Sequence, residues 1–533
     1  MKRKGFTLVE LLAVIVILAL VALITIPVIL NVIEKSKQKT YQRSIDAYGR
    51  AVNKAIAEYL LDNEKDTSKT LTYEDIKDYI KYEGNKVECD TFEIYNDKTI
   101  YLAECKVNNE SISYTYGTFS LPKPYLGKEL TPVIYDGVNW KVVDANDTNW
   151  YDYENQKWAN AVLLGSDDSG NRIIKNPGDI VTLDGTEVKM MLTWIPRYEY
   201  KIEGEYGKNG KNKTMPGEIE INFISKEKTI SHDGYKIHPA FLFGDKQLSG
   251  IWVGKFELSH MTKSKGNRSW DNVAALNCDN NNCLDSINLR VLPNLPSLRY
   301  NTVSNFYYIM KSVENIFNIS RFDTHMIKNS EWAAAAYLSQ SRYGKYGNND
   351  YDGINKEVYQ NKSSNFITGS SNGTISTSTT NSQCNYDDIT KQELGKGQCG
   401  PGASTTGNIY GIYDMSGGSW EYVMGVYAPL DSPIISSSGF TTTSLGQNGL
   451  IDLKYYDMYT IDNLDCGEMC YGHAIFETKE WYSDKSLMIN SSSPWVVRGG
   501  RYSDNTNSGI FYLDVHNGTT GYSRSSRIVF VEN

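Results

Sequence analysis

The sequence is poor in the groups that catalysis and nucleic-acid binding need. Only 6 histidines occur in 533 residues, and no H-E-x-x-H, G-x-S-x-G or P-loop pattern is present. His232 and His238 read as surface residues rather than metal ligands. No basic patch offsets the formal net charge of −9, so non-specific nucleic-acid binding is a poor default. The sugar-binding triplets of calcium-dependent lectins are missing. The loop Asn348-Asn349-Asp350-Tyr351-Asp352-Gly353 has calcium-type oxygens without EF-hand spacing, and reads as a solvated loop. Proline is scarce at 14, whereas tyrosine reaches 39 and Asn and Ser are plentiful. That balance suits β-rich extracellular surfaces better than a helical enzyme. The length allows two to four domains.

The most informative stretch is Lys2-Arg3-Lys4-Gly5-Phe6-Thr7-Leu8-Val9-Glu10 and the apolar run behind it. From Phe6 to Val32 the only charged residue is Glu10. As a helix rising about 1.5 Å per residue, this run spans a hydrocarbon core of ~30 Å. The leading cations place that end in the cytoplasm. The small residue, Gly5, precedes the apolar run, so cleavage there keeps the membrane helix on the mature protein. Losing Lys2, Arg3 and Lys4 takes the net charge from −9 to −12.

This arrangement resembles the class III signal of type IV prepilins and pseudopilins. The resemblance implies cleavage between Gly5 and Phe6 by a prepilin peptidase and N-methylation of Phe6. Glu10 matches the glutamate that faces the N-terminal amine of a neighbouring subunit. A lone carboxylate in an apolar helix calls for such a partner. Pro27 matches the proline that loosens the pilin helix by removing a backbone donor.

Helical spacing continues to about Leu61, with Ile45, Val52, Ile56, Tyr59 and Leu60 on one face. Thr72 and Asp75 mark a capped short helix. Strand patterns follow near Thr91 to Ile94, Thr99 to Glu104 and Ser111 to Tyr116. Residues 121–190 read as a β-rich connector, with strands at Thr131 to Tyr135 and Trp140 to Val143. Its cluster of Trp150, Tyr151, Tyr153 and Trp158 suits a small core better than sugar stacking. The eight cysteines form four local pairs, Cys89 with Cys105, Cys278 with Cys283, Cys384 with Cys399 and Cys466 with Cys470. An even count in an exported chain favours disulfides over zinc.

Beyond residue 190 come Trp194-Ile195-Pro196-Arg197-Tyr198, Gly250-Ile251-Trp252-Val253-Gly254-Lys255-Phe256-Glu257 and a helix at Ser330-Glu331-Trp332-Ala333 with a serine cap. Gly411-Ile412-Tyr413-Asp414-Met415-Ser416-Gly417-Gly418-Ser419-Trp420-Glu421 and Val497-Arg498-Gly499-Gly500-Arg501-Tyr502 follow, and Ser526-Arg527-Ile528-Val529-Phe530 closes the chain. Trp252 and Trp420 are expected in the core. Asn361 to Ser382 reads as a surface insertion. The succession resembles the formylglycine-generating-enzyme or sulfatase-modifying-factor family, which implies a C-type-lectin-like fold. That family's chemistry uses a cysteine shortly after Arg-Gly-Gly. Here the segment is Arg501-Tyr502-Ser503-Asp504-Asn505-Thr506, and no cysteine follows Cys470, so a binding role is expected and no catalytic residue is assigned.

The stretch Arg501 to Val531 lacks Lys, Glu, Gln, Met and Trp altogether. Those five types are the ones that adenine-directed mutagenesis of AAY codons cannot produce. Diversity-generating retroelements rewrite lectin-like domains of the resembled family in this way. The candidate ligand-facing residues are Tyr502, Asp504, Asn505, Asn507, Tyr512, Asp514, His516, Asn517, Tyr522 and Arg524, a paratope-like composition.

The expected class is α+β. It has a leader at 1–5, a transmembrane pilin helix at 6–62, a small head at 63–120, the connector at 121–190 and a C-type-lectin-like domain at 191–533. The expected partners are the membrane through Phe6–Val32, other pilin subunits, a prepilin peptidase and an extracellular ligand, protein or glycan. No cofactor is required, a structural calcium at Asp414 and Glu421 being the weaker reading. Expected localisation is the cytoplasmic membrane before assembly, then the cell surface or pilus, single-pass, with the C-terminal region outside. The rival readings are an exported formylglycine-generating-type enzyme and a structural pseudopilin of a secretion or DNA-uptake machine.

Overall fold

The computed structural model describes residues 36–61, 71–94, 100–112, 121–229, 231, 234–262, 278–279, 282–283, 286–348, 356–371, 384–388, 400–428, 430, 435–441, 443–446 and 449–533. Gly5, Phe6, Glu10 and Pro27 lie outside them, as does the expected membrane span. Among the described residues no helix is long and apolar enough to cross a membrane. The chain divides into two compact units, the second beginning at Pro122.

In the first unit, helix 36–61 lays Ile45, Val52, Ile56 and Tyr59 into one core with Leu102, Cys105 and Val107. These residues come from an antiparallel sheet of Val87–Ile94, Ile100–Val107 and Glu110–Ile112, in that order. The helical spacing of the apolar side chains is what lets one face meet the sheet. A disulfide joins Cys89 to Cys105 across the first strand pair. The short helix Tyr73–Ile76 starts where the Asp75 carboxylate accepts the Thr72 backbone N–H at 2.9 Å.

The second unit is built on a seven-stranded antiparallel sheet. Its order is Phe322–Met326, Ile528–Glu532, Gly250–Gly254, Val188–Pro196, Asn160–Leu164, Leu130–Tyr135 and Trp140–Val142. Three of these strands come from the expected connector, so residues 122–190 are not a separate module. The expected boundary falls inside the strand Val188–Pro196. The same packing explains the aromatic cluster. The indoles of Trp150 and Trp158 are buried and donate to the Asn160 carbonyl at 2.7 Å and the Tyr343 carbonyl at 2.8 Å.

A second sheet runs Asp457–Tyr459, Trp420–Tyr427, Trp495–Arg498, Leu513–His516, and the strand Arg524–Ser526 pairs in parallel with Trp420–Tyr422. The helix Asn329–Ser339 is buried at every position, as its run of four alanines permits. Its cap is not Ser330. The helix begins one residue earlier, and Glu331 accepts the Lys328 N–H at 2.8 Å. Asp457, from the second sheet, takes the Ser330 N–H at 2.7 Å. His238 is likewise buried rather than superficial, with Nδ1 accepting the Ala240 N–H at 3.3 Å. Asn348 is buried and donates to the Thr406 carbonyl at 2.9 Å. The first part of the expected surface insertion is core: Asn361, Ser363, Phe366 and Thr368 are buried.

Candidate functional site

Two glycine pairs bring the candidate site together. Gly417, Gly418, Gly499 and Gly500 all have φ between 69° and 81°, where a side chain is strained. The Gly417 N–H donates to the Gly499 carbonyl at 3.0 Å, and the Tyr502 N–H donates to the Gly418 carbonyl at 2.9 Å. The turns therefore lie against each other, and the residues leaving them, Trp420 and Arg501, become neighbours. The Arg501 guanidinium sits 4.7 Å from the Trp420 ring centroid.

Beneath the turns lies a frame of buried charge. Arg498 is fully buried and donates to the carbonyls of His473, Ala474 and Tyr512 and to the side chain of Asn329. Burial lowers its pKa to about 10. Arg527 grips Glu421 through two hydrogen bonds of 2.6 and 3.1 Å, and both side chains are wholly buried. Asp414 accepts from Asn361 and from the Gly369 N–H, each at 2.8 Å. Glu257 accepts the Ser419 N–H at 2.8 Å. Burial, then the neighbouring Asp414 and Glu421, pushes Glu257 well above the carboxylate range. Burial likewise raises Glu421 to about 7, against the pull of Arg527. Of these three carboxyl groups only Glu421 is ion-paired with Arg527, and burial raises all three, so the cluster holds a proton near neutral pH.

On this frame the candidate residues separate into two sets. Trp420, Arg501, Asp504, Tyr522 and Arg524 are partly exposed, and Ser503, Asn505 and Asn507 are exposed. The Asp504 carboxylate ties the first set together. It accepts the Trp420 indole N–H at 2.6 Å and Arg501 Nε at 2.9 Å. Asp504 overcomes the effect of burial on Arg501 and holds its pKa above the ordinary value. Arg501 also donates to the Tyr522 hydroxyl at 2.9 Å. Arg524 lies 5.6 Å from the Trp420 ring. Asn505 and Asn507 sit on the short turn that follows Asp504.

Three expected ligand-facing residues point inward instead. Tyr512 is buried and donates to Asp514 at 2.7 Å; Asp514 is buried and also takes Lys485 at 2.7 Å. Tyr502 is buried edge-on against Phe366. The chain is buried continuously from Ser508 to Asp514, which composition alone does not reveal. His516 and Asn517 make their hydrogen bonds outside the Asp504 cluster. His516 Nδ1 lies 2.6 Å from the Tyr422 hydroxyl, and the Asn517 carbonyl accepts from Ser437. Burial, then the Arg524 charge, lowers His516 to about 4, so it is neutral at physiological pH. Trp420, expected in the core, is instead at the centre of the exposed set, and Arg501 joins it. The sequence signal for both is a glycine pair one or two positions before them.

Among the cysteines, a disulfide joins Cys466 to Cys470. Cys278 and Cys283 face each other in register on a two-stranded hairpin. Cys384 is disulfide-bonded, and Cys399 lies outside the described residues. Among the described residues no group of three or more His, Cys, Asp or Glu side chains is arranged to hold a metal ion.

The family model of the prokaryotic N-terminal methylation motif matches residues 1–26. No curated protein is a significant match to the chain. Among solved structures the chain is similar to Treponema denticola variable protein 1, at 10% identity and a TM-score of 0.25, over 66% of this chain and 98% of that one. A score of that size does not establish a shared fold. The N-terminal motif implies processing by a prepilin peptidase and assembly with other pilin subunits.

Proposed function

We propose that this chain is a minor-pilin-like surface protein whose second unit is a C-type-lectin-like binding domain. In this reading the N-terminal helix anchors the subunit in the membrane and then in a filament, with the C-terminal region outside the cell. The exposed set around Trp420 is the ligand-contacting face. The observation that carries the reading is the junction of a prepilin motif with a surface cluster of aromatic, guanidinium, amide and hydroxyl groups on a rigid, charge-locked frame. Aromatic anchors beside adaptable polar groups are the make-up of evolved recognition surfaces. A domain this large fits a filament tip or rare positions better than every subunit.

The chain is proposed as a binder rather than an enzyme. The Arg-Gly-Gly segment has no cysteine after it, and Cys466 and Cys470 are bonded to each other. The 501–531 segment is further proposed to be a diversified one. A near-copy of its coding DNA downstream of the gene, differing only at adenines and beside a reverse transcriptase, is the expected finding. The functional test is adhesion by cells carrying the gene, its deletion, or an Asn505→Ala/Asn507→Ala variant. The reading expects adhesion to fall with filament assembly intact. Adhesion unaffected by both the deletion and the variant would refute it.

A further inference from the structure

We propose that Arg524, set beside Trp420, is the anchor for a carboxylated sugar residue of an anionic glycan, a hexuronic or nonulosonic acid. The inference rests on the reading of this face as the binding surface and adds the chemical class of ligand. A guanidinium carries five N–H donors. Among the described residues Arg524 uses one, from its terminal nitrogen to the Thr520 carbonyl at 3.1 Å. Its Nε is shielded from solvent and has no hydrogen-bond partner. No carboxylate lies within ion-pair distance of it among the described residues, whereas Arg501 is already committed to Asp504 at 2.9 Å.

The side chain is also held in place. It packs over Gly521, where a Cβ would overlap the guanidinium, and its backbone is paired in register with Trp420. A guanidinium fixed by its surroundings, with its second terminal nitrogen unspent, suits a ligand carboxylate. Its neighbours fix the sign of the site. Arg501 and Asp504 cancel, and His516, which feels the Arg524 charge, is neutral. One positive charge is left over on a chain of net charge −9.

The rest of the face favours a saccharide. The partly exposed Trp420 indole supplies aromatic surface beside the two guanidinium groups that lie over it, and exposed Ser503, Asn505 and Asn507 offer hydroxyl and amide partners. A nucleic acid would call for several unpaired cations along a track, and this face has one.

The test uses the full-length protein in detergent, titrated calorimetrically with sialyllactose and with a glucuronate-containing oligosaccharide. Each acid is compared with its methyl ester and with the neutral parent sugar. At least one acid is expected to bind, with the ester and parent at least tenfold weaker. That comparison needs no variant, so it stands even where a substitution perturbs folding. Arg524→Gln is expected to remove the preference for the acid, and Arg524→Lys to restore part of it. Equal affinity for acid and ester, or an unchanged preference in Arg524→Gln, overturns the proposal. If no acid binds while Asn505→Ala/Asn507→Ala still abolishes adhesion, the sugar assignment fails and the binding face stands.

Discussion

The buried acids under the candidate face make a pH-dependent prediction that can be worked from the structure. Glu257, Asp414, Glu421 and Arg527 are all buried, Glu421 is ion-paired with Arg527, and burial raises all three carboxyl groups. A carboxyl whose folded pKa is raised contributes stability that is fully present below its unfolded pKa and is lost as pH rises through the folded value. For Glu257 the window opens at the unfolded carboxylate range, about 4.3, and runs up to a folded value held well above it by burial and by the neighbouring Asp414 and Glu421. One proton held only by the folded state gives a slope of about 1.4 kcal/mol per pH unit. Between pH 5 and pH 7 that amounts to roughly 2–3 kcal/mol, a large share of an ordinary stability of about 5–15 kcal/mol. Glu257→Gln keeps the shape and an acceptor for the Ser419 N–H but cannot ionise. The variant is expected to match the wild type near pH 5 and to exceed it by that margin at pH 7. All 10 tryptophans lie beyond residue 121, so urea unfolding followed by indole fluorescence reports the second unit alone. Parallel pH profiles for wild type and variant would refute the shared-proton argument, as would a variant that loses stability relative to wild type as pH rises.

Three further outcomes are expected. Gly5→Leu should leave the leader attached, and Glu10→Ala should be cleaved but assemble poorly; intact mass of the wild type should begin at Phe6. His325 lies with one ring nitrogen 3.3 Å from Asp323 and the other 3.0 Å from Glu331, both carboxylates buried. Although burial opposes the charge, Glu331 and Asp323 raise its pKa, so its charge stabilises the fold below about pH 6.5 and that contribution fades as pH rises through the folded value. His325→Gln should therefore cost most in acid, on the order of 3 kcal/mol for an uncompensated buried charge, with the deficit shrinking in alkali in the same unfolding assay. Arg527→Met should cost about 3–5 kcal/mol at pH 7 by stranding Glu421, and less at pH 5, where the stranded carboxyl takes up a proton.

The elements legible in the sequence were those where one local rule sufficed. Ile45, Val52 and Ile56 recur at helical spacing, and they are the buried stripe of helix 36–61. Thr72 and Asp75 stand three apart, and they cap a short helix. Residues whose role depends on distant partners were not legible. The serine at 330 looked like a cap, but the chain begins the helix earlier because Asp457, more than a hundred residues away, supplies the acceptor. Trp150 and Trp158 looked like a local core, yet Trp158 is satisfied by the carbonyl of Tyr343, which merges the expected connector with the rest of the unit.

The candidate face shows the same division at finer grain. Composition marked Arg501 to Val531 as unusual, and the partly exposed cluster lies largely inside that stretch. Composition has no direction, however, and it treated Tyr512 and Tyr522 alike. Tyr512 sits on the edge of the strand Leu513–His516 with its hydroxyl spent on Asp514, while Tyr522 emerges at the turn before the strand Arg524–Ser526. The centre of the face, Trp420, lies outside the stretch, and the sequence alone assigns it to the core. What exposes it is a long-range condition: its strand is paired with Arg524–Ser526 on one side and Trp495–Arg498 on the other. The strand is buried from Glu421 to Val426, and Trp420 at its first position is left partly exposed. A binding surface assembled this way keeps its scaffold in one set of residues and its contacts in another. Substitutions at Asn505, Asn507 or Arg524 can then change the ligand without touching the Arg498 and Arg527 locks that hold the frame.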